Sequence, residues 1–194
     1  MKSLALRSIL LLLCGVGVGL AGGYELASFR EHQRLEHNKE LVRIMEDKVF
    51  SEKNVDAAMK VAHENYTSDF TVHDWLGDHK GMDALAEGLA YTQADFLDWK
   101  ESAVSIIAEG DYVAARLISG GTQARDFEAV PHISPVIPNK HRPLRMQEFV
   151  IFRVADGKLA EEWAINDGWD ASIQLGLFDP DHWKESVCGE IKNK

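Results

Sequence analysis

Taking a proton from carbon requires a base that water solvates poorly and a donor that holds the oxygen on which charge develops. Residues 144–167 of this 194-residue chain supply candidates for both. Strand alternation puts Glu161, Trp163, Ile165 and Asp167 on one face and Glu162, Ala164 and Asn166 on the other. With Trp163 and Ile165 turned into a cavity, Asp167 stands at its inner rim beside Trp169. Poor solvation there lifts a carboxyl above its ordinary pKa of about 3.9 and makes it a better base. The competing role for Asp167 is to cap a helix that begins at Gly168. Glu148 shares parity with Leu144, Met146, Val150 and Phe152. An acid on such an apolar face is either buried and protonated, and so able to donate to an enolate oxygen, or paired with Arg145 or Arg153 at an edge. His73 offers a neutral imidazole for the same task, or a strand-end side chain bonded to a turn. The expected walls around these groups are Trp163, Ile165, Met146, Trp75 and Trp169.

Other chemistries find less support. His73, Asp74, Asp78 and His79 are close in sequence but follow no metal-ligand spacing, so no metal is expected. His132 and His141 fall in a loop and read as solvated. There is no nucleophile-elbow pattern, and Cys188 sits in the C-terminal tail. Gly120-Gly121 follows a strand with no helix after it, which argues against a phosphate loop.

Elements that could position these residues are legible in the hydrophobic period. Leu35, Leu41, Val42, Ile44, Met45 and Val49 recur at helical spacing from Ser28 to Val49, and Asn54 caps a shorter helix through about His63. Tyr66 to Trp75 alternates as a strand, and Lys80-Gly81 opens a third helix to about Phe96. Strands follow at Ser102–Ala108, Tyr112–Ser119, Leu144–Val154 and Leu159–Asn166, with turns at Glu109-Gly110-Asp111 and Asp156-Gly157. Residues 123–143 hold four of the five prolines and read as a long excursion, with Pro131–Lys140 expected to cover the cavity mouth. Asp167 to Leu177 returns to helical spacing. The order predicts an α+β fold: a curved antiparallel sheet wrapped around the long N-terminal helix, with two further helices, enclosing a cone-shaped cavity.

Composition sets the outer bounds. With 45% hydrophobic and 27% charged residues the chain reads as an ordinary globular protein, and a net charge of −10 makes nucleic acid a poor partner. Lys2 and Arg7 precede the uncharged run Ser8–Gly23, which ends in the small residues Gly19-Leu20-Ala21. That is the pattern of an export signal over residues 1–21, or of a short uncleaved membrane anchor, so a periplasmic or secreted location is expected. Cys14 and Cys188 are the two cysteines, so a mature chain lacking the signal has no internal disulfide.

Several segments together resemble the SnoaL-like polyketide cyclases, also called ester cyclases, of the nuclear-transport-factor-two-like superfamily. The carriers are Asn38-Lys39-Glu40-Leu41-Val42, Asn54-Val55-Asp56-Ala57, and Tyr66 through Asp69-Phe70 to His73-Asp74. Further on come Ile107 through Arg116, Phe152-Arg153, Asp156 to Leu159, Glu161-Glu162-Trp163, Asp167 and Gln174-Leu175-Gly176. The resemblance implies one domain over 38–177, with residues 178–194 a charged tail, and a cofactor-free pocket in which a carboxylate starts an intramolecular aldol closure. It places Asp167 at the family's acidic position and His73 at the end of a pocket-lining strand. The family's short Pro-Pro-Thr-Gly-Lys turn is expanded here into Pro131–Lys140. The expected ligand is a small carbonyl-containing or apolar metabolite, and the expected partner a second copy packed through the sheet. Rival readings of the same cavity are a non-catalytic binding module and a hydrolase or dehydratase.

Overall fold

The computed structural model describes residues 24–74, 76–128 and 136–178. The export segment, Trp75, the middle of the proline-rich excursion and the tail after Phe178 lie outside the described residues. The chain divides into two units. In the first, which runs to His37, residues 24–37 are helical. The second begins at Asn38 and holds all the strands.

The second unit opens with helical residues 38–44, here α1, which run into one turn of π-helix, Met45–Phe50. Leu41, Val42, Met45 and Val49 supply its apolar stripe, none more than 3% exposed. Helix α2 (Val55–Asn65) starts where Asn54 Oδ1 accepts the Ala57 N–H at 3.0 Å, the expected cap. Strands β1 (Tyr66–Asp74) and β2 (Gly77–Lys80) form a hairpin ahead of α3 (Met82–Asp95). Then come β3 (Lys100–Glu109) and β4 (Tyr112–Thr122), the short pair β5 (Phe127–Glu128) and β6 (Val136–Ile137), and the long strands β7 (Pro143–Ala155) and β8 (Lys158–Asn166). Helix α4 (Gly168–Leu175) closes the described chain. Both predicted turns are present, and the second places Asp156 and Gly157 at φ of 52° and 74°, the left-handed pair that a two-residue hairpin needs.

Six strands form one sheet in the order β2-β1-β8-β7-β4-β3. Every pairing is antiparallel except β1 with β8, which is parallel, so the sheet is mixed rather than wholly antiparallel. β2 was not foreseen, because four polar or glycine residues give no apolar alternation to read. The excursion also differs from expectation: β5 and β6 pair within it, and Gln123, fully buried, ties it down by donating to Pro138 O and accepting the Lys140 N–H, both at 3.0 Å.

One sheet face is packed. Tyr66 and Phe70 of β1, Val113, Ala115 and Leu117 of β4, Val150 and Phe152 of β7 and Leu159 of β8 join α1, α2 and α3 in a single core. A second cluster, Phe96, Trp99, Ile137, Leu144, Ala171 and Leu175, fastens the excursion and α4 to the start of β7 and to the segment between α3 and β3.

Candidate active site

On the packed face, four carboxyl groups point into an otherwise apolar interior. Glu46 comes from the π turn, Glu101 from β3, Glu148 from β7 and Glu162 from β8. Glu46 is 3% exposed and Glu162 8%, and among the described residues neither Glu46 oxygen nor Glu162 Oε2 has a hydrogen-bond partner. Loss of water alone would push such acids up, and for Glu46, Glu101 and Glu162 the charges of neighbouring acids add to it. Burial, then the charges of Glu148 and Glu162, raise Glu46 to about 8. Burial, then Glu148 and Asp74, raise Glu162 to about 8. Glu101 is raised well above the usual carboxylate value, first by burial and then by Glu148 and Glu46, although Trp99 Nε1 donates to its Oε1 at 2.8 Å. Glu148 is raised by burial against the opposing bond from Ser119 Oγ. The Tyr66 hydroxyl, buried without a partner, lies among Glu162, Glu46 and Glu101 and is held in its neutral form.

Glu162 lines a cavity of about 500 Å³ between α3 and the β1–β2 hairpin. Its walls include Phe50, Phe70, Val72, Leu85 and Leu89. Asp74 and His79 stand at its opening, with His79 Nε2 3.2 Å from Asp74 Oδ1, which also accepts the Leu76 N–H at 2.7 Å. The register explains the grouping. Val72 is paired with Glu162 across the parallel β1–β8 ladder, and Asp74, two residues on, shares their face. The site is therefore a partly open apolar pocket, with a buried carboxyl of near-neutral pKa at its base and a carboxylate–imidazole pair at its rim.

The structure corrects the orientation expected for the β8 residues. Trp163 and Ile165 point away from the core, 38% and 76% exposed, because β8 turns the opposite parity, Ala160, Glu162 and Ala164, toward the helices. Asp167 is solvent-exposed and caps α4, its Oδ1 accepting the Asp170 N–H at 3.0 Å. His73 faces outward as well: its ring stacks on Trp163 at 5.0 Å, and its Nδ1 lies 2.7 Å from Asp78 Oδ1. Glu148 does face inward, bonded to Ser119, while Arg153 pairs with Glu161 at 2.8 Å. Asp167 and His73 thus share no pocket with Glu148. Met146 packs on the second cluster, and Trp169 is 60% exposed against Phe178. Trp75 lies outside the described residues. No described residue of the excursion lines the Glu162 pocket, so the expected cover over its mouth is not seen among the described residues. Nor is any group of three or more His, Cys, Asp or Glu among them arranged to hold a metal ion.

A larger cleft, about 1030 Å³, runs over the outward face. Ile107, Ala114, Ile151, Trp163 and His73 lie in register across β3, β4, β7, β8 and β1, with Ser105, Arg116, Phe149 and Ile165 forming the next row. This is an exposed apolar sheet surface whose lining includes His73 and Asp74 but none of the four inward glutamates.

Sequence reasoning missed Glu46, Glu101 and Glu162, though a signal existed for the first. Glu46 lies four residues after Val42 and three before Val49, which places an acid inside an apolar helical stripe. For Asp167 the cap geometry yields a direct check by chemical denaturation. Asp167→Asn is expected to leave stability unchanged, whereas Asp167→Ala loses about 0.5–2 kcal/mol.

A model of the SnoaL-like polyketide cyclases matches residues 39–175. No curated protein matches the chain in sequence. Among solved structures, a candidate SnoaL-like polyketide cyclase from Jannaschia sp. CCS1 is 18% identical, with 74% of this chain and 94% of that one covered at a TM-score of 0.61. The candidate polyketide cyclase IdmH of Streptomyces antibioticus is 24% identical over 72% and 98%, with a TM-score of 0.58. A protein of ketosteroid-isomerase-like fold from Catenulispora acidiphila, solved in complex with trimethylamine, is 16% identical over 73% and 98%, with a TM-score of 0.54. At these identities the structures establish a shared fold.

Proposed function

The chain belongs to the SnoaL-like polyketide cyclase family, and from that premise we propose that it is a cofactor-free, proton-transferring enzyme of the cyclase or isomerase type. The observation that carries this reading is the Glu162 carboxyl, 8% exposed, raised to about 8, and at the base of an apolar pocket. An acid with a near-neutral pKa can take and return a proton at physiological pH. As a carboxylate, Glu162 removes a proton from carbon next to a carbonyl. In an isomerisation the acid so formed returns that proton at another carbon. In a cyclisation the enolate carbon attacks a second carbonyl within the same molecule, a C–C bond forms, and the proton passes to the new alkoxide. His79, held by Asp74, is the rim group whose ring N–H can donate to the enolate oxygen.

A general ketone probe tests the proton-transfer step. With β-tetralone in deuterium oxide, the protein is expected to accelerate α-deuteration measured by NMR, saturably, and with a rate that rises as pH passes about 8. Exchange no faster than in buffer would overturn the reading, and binding without exchange would leave a ligand-binding module.

Two further expectations are carried forward as proposals. The apolar outer face is the contact with a second copy of this chain. Its central row, with Ile151 47% and Ile107 70% exposed, is flanked by the Arg153–Glu161 pair and by Arg116. A twofold apposition of such a face sets apolar rows together and lets basic and acidic flanks alternate. Sedimentation should report a dimer at micromolar concentration, and Ile151→Asp should yield a folded monomer; a monomeric parent protein would refute the contact. Export through residues 1–21 is the other proposal, supported by Lys2, Arg7 and the uncharged run after them. It predicts a mature chain starting near Gly22, or an intact one retained at the membrane, read by N-terminal sequencing of fractionated cells.

A further inference from the structure

The charges around the Glu162 pocket restrict what can enter it. Among the described residues lining it, the ionisable groups are Asp74, His79, Glu87, Tyr91 and Glu162, with no lysine or arginine. Glu162 Oε2 is buried without a partner, and Asp74 shares its face of the sheet from the neighbouring strand. Behind Glu162 stand Glu46 from the π turn, Tyr66 from β1, Glu101 from β3 and Glu148 from β7, which bring further acidity and no counter-charge. A carboxylate or phosphate entering this pocket would lose its water and meet only acids and one imidazole. A cation would meet an unused acceptor oxygen between apolar walls that include Phe50 and Phe70.

We propose that the substrate of this pocket carries a protonated amine, whose N–H donates to Glu162 Oε2 and whose charge is shared with Asp74, and that anionic analogues are rejected. The inference rests on the catalytic reading above and gives it a trigger. A cation beside a carboxyl favours the ionised form, so an amine-bearing substrate converts Glu162 into the base as it binds. Empty, the pocket keeps its acid protonated. Amine binding should therefore release a proton, and the affinity should be greater where the displaced proton is less firmly held.

A matched set of probes on one bicyclic frame tests this: β-aminotetralin as the cation, β-tetralone as the neutral ketone and tetralin-β-carboxylate as the anion. Calorimetry near neutral pH should rank the amine about tenfold or more above the ketone, with no binding of the carboxylate. The amine's heat should vary with buffer ionisation as a proton leaves. In Glu162→Gln the amine should fall to the ketone's affinity, while the ketone is bound as before. No binding of the amine at millimolar concentration, an equal or tighter carboxylate, or an amine preference that survives Glu162→Gln each overturns the proposal. Deuterium exchange of β-tetralone, measured on the same samples, keeps the two ideas apart. Exchange without amine preference sinks only the substrate class, and amine preference without exchange sinks only the catalysis.

Discussion

Glu162→Gln is expected to lower the rate of α-deuteration by about 10²–10⁴-fold while making the folded protein more stable above about pH 5, the gain being complete near pH 8. The two effects have one origin. Glutamine keeps the shape of the protonated acid and removes the basic oxygen, so proton abstraction ends. It also removes a group that the folded protein ionises only at a cost, because Glu162 is buried and faces Glu148 and Asp74. A residue present only to fill the core would give a different pattern, with no loss of exchange. Exchange by NMR and a thermal melt on the same variant settle the matter, and unchanged exchange in a well-folded variant removes Glu162 from the mechanism. Glu46→Gln is the control, since Glu46 has a similarly raised pKa but is not among the residues lining the Glu162 pocket.

The thermal midpoint itself should fall as pH rises from about 5 to about 8.5, the reverse of a protein held by ionised acid–base pairs. Glu46 and Glu162 each keep a proton up to about 8 in the folded state. In the unfolded chain the same groups release it near their ordinary value of 4.5. Between those values the folded state binds more protons, so stability declines with pH, by at most about 1.4 kcal/mol per pH unit for each proton. Over that window the midpoint should drop by on the order of 10 °C. Glu31, Asp47, Asp98 and Glu161 have lowered pKa values and act with the opposite sign, but they lose their contribution below the ordinary carboxylate range and so outside this window. The double variant Glu46→Gln with Glu162→Gln should make the curve shallower, the remaining slope coming from Glu101 and Glu148, which burial also raises. A midpoint that rises from pH 5 to 8.5 would show that the acid cluster ionises without penalty.

Most of the elements were readable because their boundaries are chemical. Asn54 and Asp167 cap helices, Gly110 and Gly157 turn hairpins, and α4 ends at Gly176, whose left-handed φ of 75° favours glycine. The site was less readable, and the reason lies in the sheet. Parity tells inside from outside only when one face is polar, yet Trp163 and Ile165 face solvent while Ala164 and Glu162 face the core. β7 has the same ambiguity, with Phe149 and Ile151 outside and Val150 and Phe152 inside. An apolar outer face thus hid the inner one. Glu148 could be assigned to an apolar face, with burial or an edge pair left open, because its strand neighbours there are large, whereas the neighbours of Glu162 are two alanines.

The parallel pairing of β1 with β8 has a kinetic consequence. Tyr66 meets Leu159 and His73 meets Trp163, partners separated by some ninety positions of chain. The β3–β4 and β7–β8 hairpins close over short turns and can form early, but the seam between β1 and β8 is non-local and forms slowly. Until it closes, both strands present unpaired edges to other chains. The pocket straddles that seam, with Phe70, Val72 and Asp74 on one side and Glu162 on the other. A chain still emerging from the ribosome before residue 159 therefore has no such pocket, and an agent that stabilises the late seam raises the yield of native protein more than one that stabilises the hairpins.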